Sequence, residues 1–137
     1  MYARNIIKKG LSDTMPMTDK GGEISILLSP GNTGNERMIM GYGLTPVGES
    51  VKEHIHPYSE ECFFVIEGKG SVTFGNGDII EFEANEAIRI PQNMLHTIKN
   101  TGEVDLRVIF ASGPLAPTMQ KGHINGGNNE KNNWTCT

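Results

Sequence analysis

The sequence predicts an all-β domain, a small antiparallel β-barrel, and three observations carry that reading. Apolar residues come in runs of a few residues, parted by turns that use many of the 17 glycines and 7 prolines. Between residues 23 and 110 no stretch keeps a helical period with caps at its ends. Asn76-Gly77, set between two short runs, is among the strongest hairpin signals a sequence can carry. A chain of 137 residues is long enough for one closed core and too short for two ordinary ones.

Residues 1–22, with Met15-Pro16-Met17 and no clean period, are expected as an N-terminal arm. Residues 23–28 read as a strand that Ser29-Pro30-Gly31-Asn32 ends. A second strand over 38–44 turns at Thr45-Pro46-Val47-Gly48, and a third over 49–56 runs into Pro57. The fourth, 61–67, is a nearly unbroken apolar run stopped by Gly68-Lys69-Gly70. Residues 71–74 and 78–82 flank the hairpin turn; 87–90 ends at Pro91, and 95–99 ends at Asn100-Thr101-Gly102-Glu103. Residues 104–110 are the last clear strand. The barrel is thus expected over 23–112. Residues 113–137 are expected as a C-terminal extension, partly disordered, becoming Gly- and Asn-rich from Gly126, with Trp134 as the side chain suited to docking.

Composition excludes some functions. The formal net charge is −4, and no Lys/Arg cluster is present to neutralise phosphates, which argues against nucleic acid. Apolar runs fall far short of a bilayer's thickness, and the first residues lack the pattern of a secretory signal. No membrane association and a cytoplasmic location are therefore expected. Two cysteines, Cys62 and Cys136, do not make a disulfide framework. Cys62, inside an apolar run, is expected as a small buried hydrophobe.

Three of the four histidines stand where chemistry is plausible. Side chains alternate along a strand, so His54 and His56 share a face and aim at a common point. Glu61 opens the next strand after a short connection, and His96 arrives from a later one. Three imidazoles and a carboxylate suit one divalent transition metal ion, with Fe, Zn, Mn, Ni, Co and Cu all admissible. Glu60 competes with Glu61 as ligand; with Glu61 in the site, Glu60 would face the other way or lie on the loop. The remaining histidine, His123, is expected as a surface imidazole outside the site. By strand parity, Phe63, Val65, Ile98 and either Met40 or Tyr42 are the expected pocket wall, an apolar lining that favours an aromatic or lipophilic substrate.

The spacing of these residues resembles the cupin superfamily. Its first signature is filled at every fixed position by Gly48, His54, His56, Glu61 and Gly68. Its second is carried by Pro91, His96 and Asn100, with Asn85 and Asn93 where the pattern has glycine. Asparagine is the residue after glycine that best tolerates left-handed backbone, so both turns stay feasible. The resemblance implies a single-domain, jelly-roll-like cupin barrel with metal on His54, His56, Glu61 and His96. Within the superfamily the chain is most similar to small cupins of polyketide biosynthesis, through Gly21-Gly22-Glu23-Ile24, Leu27-Leu28-Ser29-Pro30, His56-Pro57-Tyr58-Ser59-Glu60-Glu61 and Ser112-Gly113-Pro114-Leu115-Ala116-Pro117. This implies metal-assisted cyclisation or oxygenation of an aromatic or poly-keto small molecule. Glu61 serves there as ligand or as base, and both roles stay open. The alternative is a non-catalytic cupin that binds a metal or small molecule. Cupins commonly pair through strands and terminal arms, so a homodimer is expected, with the arm covering a sheet edge.

Overall fold

The computed structural model describes residues 6–126, and within them lie ten strands. They are β1 (Glu23–Leu28), β2 (Ile39–Thr45), β3 (Ser50–Ile55), β4 (Glu60–Glu67), β5 (Lys69–Phe74), β6 (Ile79–Glu83), β7 (Ala87–Ile90), β8 (His96–Asn100), β9 (Leu106–Gly113) and β10 (Ile124–Asn125). One helical turn, α1 (Pro30–Thr33), replaces the plain turn expected after β1. Its ends explain it: Pro30 starts it, the Ser29 amide donates to Asn32 Oδ1 at 2.9 Å, and Gly34 closes it with left-handed backbone.

The strands form two five-stranded antiparallel sheets, ordered β1-β2-β9-β4-β7 and β10-β3-β8-β5-β6. Among the described residues no ladder joins the two, so the barrel is a pair of facing sheets rather than one closed ring. From β2 onward the chain crosses between sheets at almost every connection, the habit of a jelly roll. Phe63 and Val65 of β4, Ile90 of β7 and Leu106 of β9 meet Val72, Phe74, Phe82 and Ile98 of the opposite sheet. Phe63 and Phe82 join the sheets edge to face, with ring centroids 5.3 Å apart.

Parity along β4 is clean: Glu61, Phe63 and Val65 point inward, while Cys62, Phe64 and Ile66 point outward. Cys62 is therefore exposed, not the buried hydrophobe its apolar neighbours suggest. It sits on the outer face opposite Ala111 and Arg89 because Glu61 must face in. β2 also departs from expectation. Its inward positions are Ile39, Gly41, Gly43 and Thr45; Met40 and Tyr42 lie on the outer face, where Arg107 Nη1 donates to the Tyr42 hydroxyl at 2.6 Å. Gly41 lies under Phe110, whose ring would stand 2.3 Å from a Cβ placed there. The inward side of β2 is small so that Phe110 can fill the space.

Asn85 and Asn93 hold φ of 72° and 65°, the left-handed turns that glycine makes in the signature. Asn100, 1% exposed, ties the far end of β8: its Nδ2 donates to Thr45 and Val104 carbonyls at 2.8 and 2.9 Å, and its Oδ1 accepts from the Gly102 amide. Residues 6–22 run irregularly, with a bridge between Met17 and Ile24 and the Lys52 amide donating to the Lys20 carbonyl at 2.8 Å. Of the expected extension, residues 114–126 are built into the fold, ending in β10 paired with β3. Trp134 lies outside the described residues. No helix among the described residues is long and apolar enough to cross a membrane.

Candidate metal centre

A bulge aims His54. β3 pairs with β8 as Ser50 opposite Lys99 and Val51 opposite Ile98, then resumes with His54 opposite His96. One extra residue on β3, at Lys52-Glu53, lets Val51 and His54, three apart, both face the interior. Regular pairing would turn one of them outward. The bulge also brings the Lys52 carbonyl to His54, whose Nδ1 donates to it at 2.6 Å. His56 lies just past the strand and donates from Nδ1 to the Gly122 carbonyl at 2.8 Å. His96 opens β8 and donates from Nδ1 to the Met94 carbonyl, also at 2.8 Å. A carbonyl only accepts, so each Nδ1 carries the proton and each Nε2 presents a lone pair.

The fourth donor comes from the other sheet. Glu61 Oε1 lies 3.0 Å from His56 Nε2 and 3.9 Å from His96 Nε2. One donor atom from each of His54, His56, Glu61 and His96 lies within 4.8 Å of all the others. Glu60 faces out and pairs with Arg89 at 2.7 Å. Glu61 Oε1 and His96 Nε2 are buried without a hydrogen bond; the 3.0 Å contact to His56 is close but misses hydrogen-bond alignment. Leaving such atoms unmade costs about 1–3 kcal/mol each, so this cluster is unfavourable as a mere packing device. A divalent ion among the four would satisfy both atoms, and the donor set suits one. The residues fit a metal.

Electrostatics point the same way. Burial, helped by the neighbouring imidazoles, holds His54 well below the usual histidine range, so it stays neutral. Burial likewise lowers His96, with Glu61 opposing. Burial pulls on His56 too, but the Glu61 carboxylate outweighs it and raises His56. For Glu61, burial would raise the carboxyl, and His56 and His96 overcome it to hold the carboxyl below its ordinary value.

His123, expected at the surface, is 2% exposed and lies against the site. Its ring stacks on His54 with centroids 4.3 Å apart and 9° between planes, and stands edge-on to His56 at 5.2 Å. Burial, the Lys20 charge and the other imidazoles lower it to about 2. Nothing in the Gly-flanked sequence around it signals this; only the pairing of β10 with β3 brings it in. The sequence gives no sign of Lys20 either. It is 3% exposed, and its charge reaches His56, Glu61 and His123.

Three of the donors, His54, His56 and Glu61, border with His123 an inner cavity of about 60 Å³, walled by Val51, Phe63, Ile98, Leu106, Val108 and Phe110. Of the expected wall, Phe63 and Ile98 line it; Val65 is wholly buried in the core beyond it, and Met40 and Tyr42 are on the outer face. A second cavity of about 340 Å³ lies behind residues 115–119 and Gly122, with Ser112 on its wall and on that of the first.

Comparison with known proteins places this geometry. The family model for the cupin domain matches residues 42–112. A protein of Streptomyces glaucescens described as tetracenomycin polyketide synthase protein TcmJ is 36% identical over 117 residues, 85% of this chain and 78% of that one. Polyketide synthase CurC of Streptomyces cyaneus is 36% identical over 109 residues, 80% and 70% of the two chains. Among solved structures, the polyketide cyclase RemF from Streptomyces resistomycificus superposes with a TM-score of 0.70 at 18% identity, over 91% of this chain and 88% of that one. That last likeness is one of fold.

Proposed function

We propose that this chain, which belongs to the cupin family, holds one divalent transition metal ion on His54, His56, Glu61 and His96 and acts as an enzyme on a small aromatic or poly-keto molecule, by cyclisation or oxygenation. The observation that carries the reading is the meeting of three Nε2 lone pairs and a carboxylate oxygen at one buried point, with each Nδ1 tied to a carbonyl. The substrate class is supported by likeness to two polyketide synthase proteins and by the apolar wall. When bound, the ion would supply Lewis acidity toward a carbonyl or enolate oxygen. The chain's own part is to hold the imidazoles in one tautomer, keep water from the apolar wall, and present Glu61 as ligand or base.

A second reading, a non-catalytic cupin that binds a metal or small molecule, is favoured by the inner cavity. At about 60 Å³ it is far below the roughly 300–1,000 Å³ of ordinary ligand sites. The second cavity, about 340 Å³, falls within that range and would seat a ring system whose polar edge reaches past Ser112. The test is consumption of benzoylacetone, an aromatic diketone, by the metal-loaded protein. Turnover that disappears in His96→Ala supports the enzyme; binding without consumption of this or related diketones and phenols supports the binding protein.

The homodimer belongs to the same proposal. Phe64 and Ile109 stand opposite each other on the outer face of the first sheet, 44% and 38% exposed, and a second copy would cover them. Light scattering that gives a monomer mass at micromolar concentration would refute it.

A further inference from the structure

The site's donors sit on or beside β3, β4 and β8, yet two of its imidazoles are held from outside those strands. The Gly122 carbonyl accepts the His56 Nδ1 proton at 2.8 Å. One residue on, His123 lies flat on His54, with 9° between the planes. The next three residues pin both: Ile124 and Asn125 pair with Ile55 and His54, and the Gly126 amide donates to the Glu53 carbonyl at 2.8 Å. On the other side, Gly122 ends a single tight turn, closed by Lys121 and Gly122 amides on the Thr118 and Met119 carbonyls. The segment thus brackets the ligand strand from Glu53 to His56.

We propose that residues 118–126 form a strap that positions His54 and His56 for the metal, with His123 as its positioning residue. The proposal rests on the metal-binding reading above. Two tasks fall to the strap that β3 cannot perform by itself. His56 lies beyond the last paired residue of β3, so its tautomer and ring angle depend on the Gly122 carbonyl. The His54 ring, held at one edge by Lys52, is kept from swinging about its side-chain bonds by the imidazole packed on its face. His123 is not itself placed as a ligand. Its ring is nearly parallel to that of His54 and displaced from it, so its in-plane lone pairs do not converge with the four donors. A ring that stacks on a ligand without coordinating acts on how firmly the metal is held, not on how much is held.

The experiment loads wild type, His123→Ala, His123→Phe and His96→Ala with cobalt(II), records the visible bands of the bound ion, and times its release to excess chelator. His123→Ala is expected to reach the wild-type cobalt content at saturation but to release it about 10- to 100-fold faster. His123→Phe, which restores a flat ring, is expected to release it close to the wild-type rate with wild-type bands. Wild-type release from His123→Ala would overturn the strap. So would a folded His123→Ala that takes no cobalt, since His123 would then be a ligand, or a His123→Phe as fast as His123→Ala. If His123→Ala does not fold, a folded His123→Phe that releases cobalt more than about 10-fold faster than wild type overturns the strap. Failure of the underlying reading looks different: wild type would take no cobalt, or His96→Ala would retain it.

Discussion

Two residues apart on β4, Glu61 and Phe63 face the same interior and belong to different regions of it. Phe63 joins Val65, Val72, Phe74, Phe82, Ile90, Ile98 and Leu106 in a region where the two sheets interlock through apolar contact alone. Glu61 joins His54, His56, His96 and His123 in a region that packs imidazoles on imidazoles and leaves buried polar atoms without hydrogen bonds. The first is what a jelly roll needs to fold. The second is locally unfavourable until something satisfies it, which is how a functional site departs from the rules its scaffold obeys.

The sharpest way to test that contrast is to cut each region separately. Phe63→Ala should cost about 3–5 kcal/mol in urea unfolding, by the same amount with and without metal, while metal content at saturation stays unchanged. Loss of the metal from a folded Phe63→Ala would show that the two regions are not separable. His96→Ala should do the reverse and abolish the stabilisation that metal adds, about 2.7 kcal/mol when free metal stands 100-fold above its dissociation constant. If added metal still raised the stability of that variant, the donors would have been misassigned.

Acid should strike the polar region first. His54, His96 and His123 are held below the ordinary histidine value, so once pH drops under about 6.5 the unfolded chain binds protons that the fold does not. His56, which is raised, opposes them: it stabilises the fold as pH falls through its raised folded value toward about 6.5, and below that its gain is complete. Three against one, the metal-free protein should lose stability between pH 7 and pH 5, by up to about 1.4 kcal/mol per pH unit for each net proton. A flat profile over that range would mean that the imidazoles are not buried as described. The smallest effect should come from the outer face: Cys62→Ser should change stability by no more than about 0.5 kcal/mol. A larger loss would place Cys62 inside after all.

Much of the fold and of the site was legible because spacing along a strand is geometry. The interval from His54 to His56 put both on one face, and the resemblance to the cupin signatures pointed to Glu61 and to left-handed turns at Asn85 and Asn93. What was not legible has physical causes. The outer face of β4 is apolar as well, so hydrophobicity could not tell Cys62 from Phe63. On β2 the inward face includes Gly41 and Gly43, so the side chains that catch the eye, Met40 and Tyr42, are on the wrong side. The bulge at Lys52-Glu53 shifts parity without leaving a mark in composition. His123 adjoins a short strand whose only reason to exist is the edge of β3 it pairs with.

The most direct measurement is the metal content of natively purified protein by plasma mass spectrometry, beside a His54→Ala/His96→Ala double variant. About one divalent transition metal ion per chain is expected in the wild type and none in the variant. A wild type that carries no metal, even after reconstitution, would contradict the site and leave the buried histidines without a purpose.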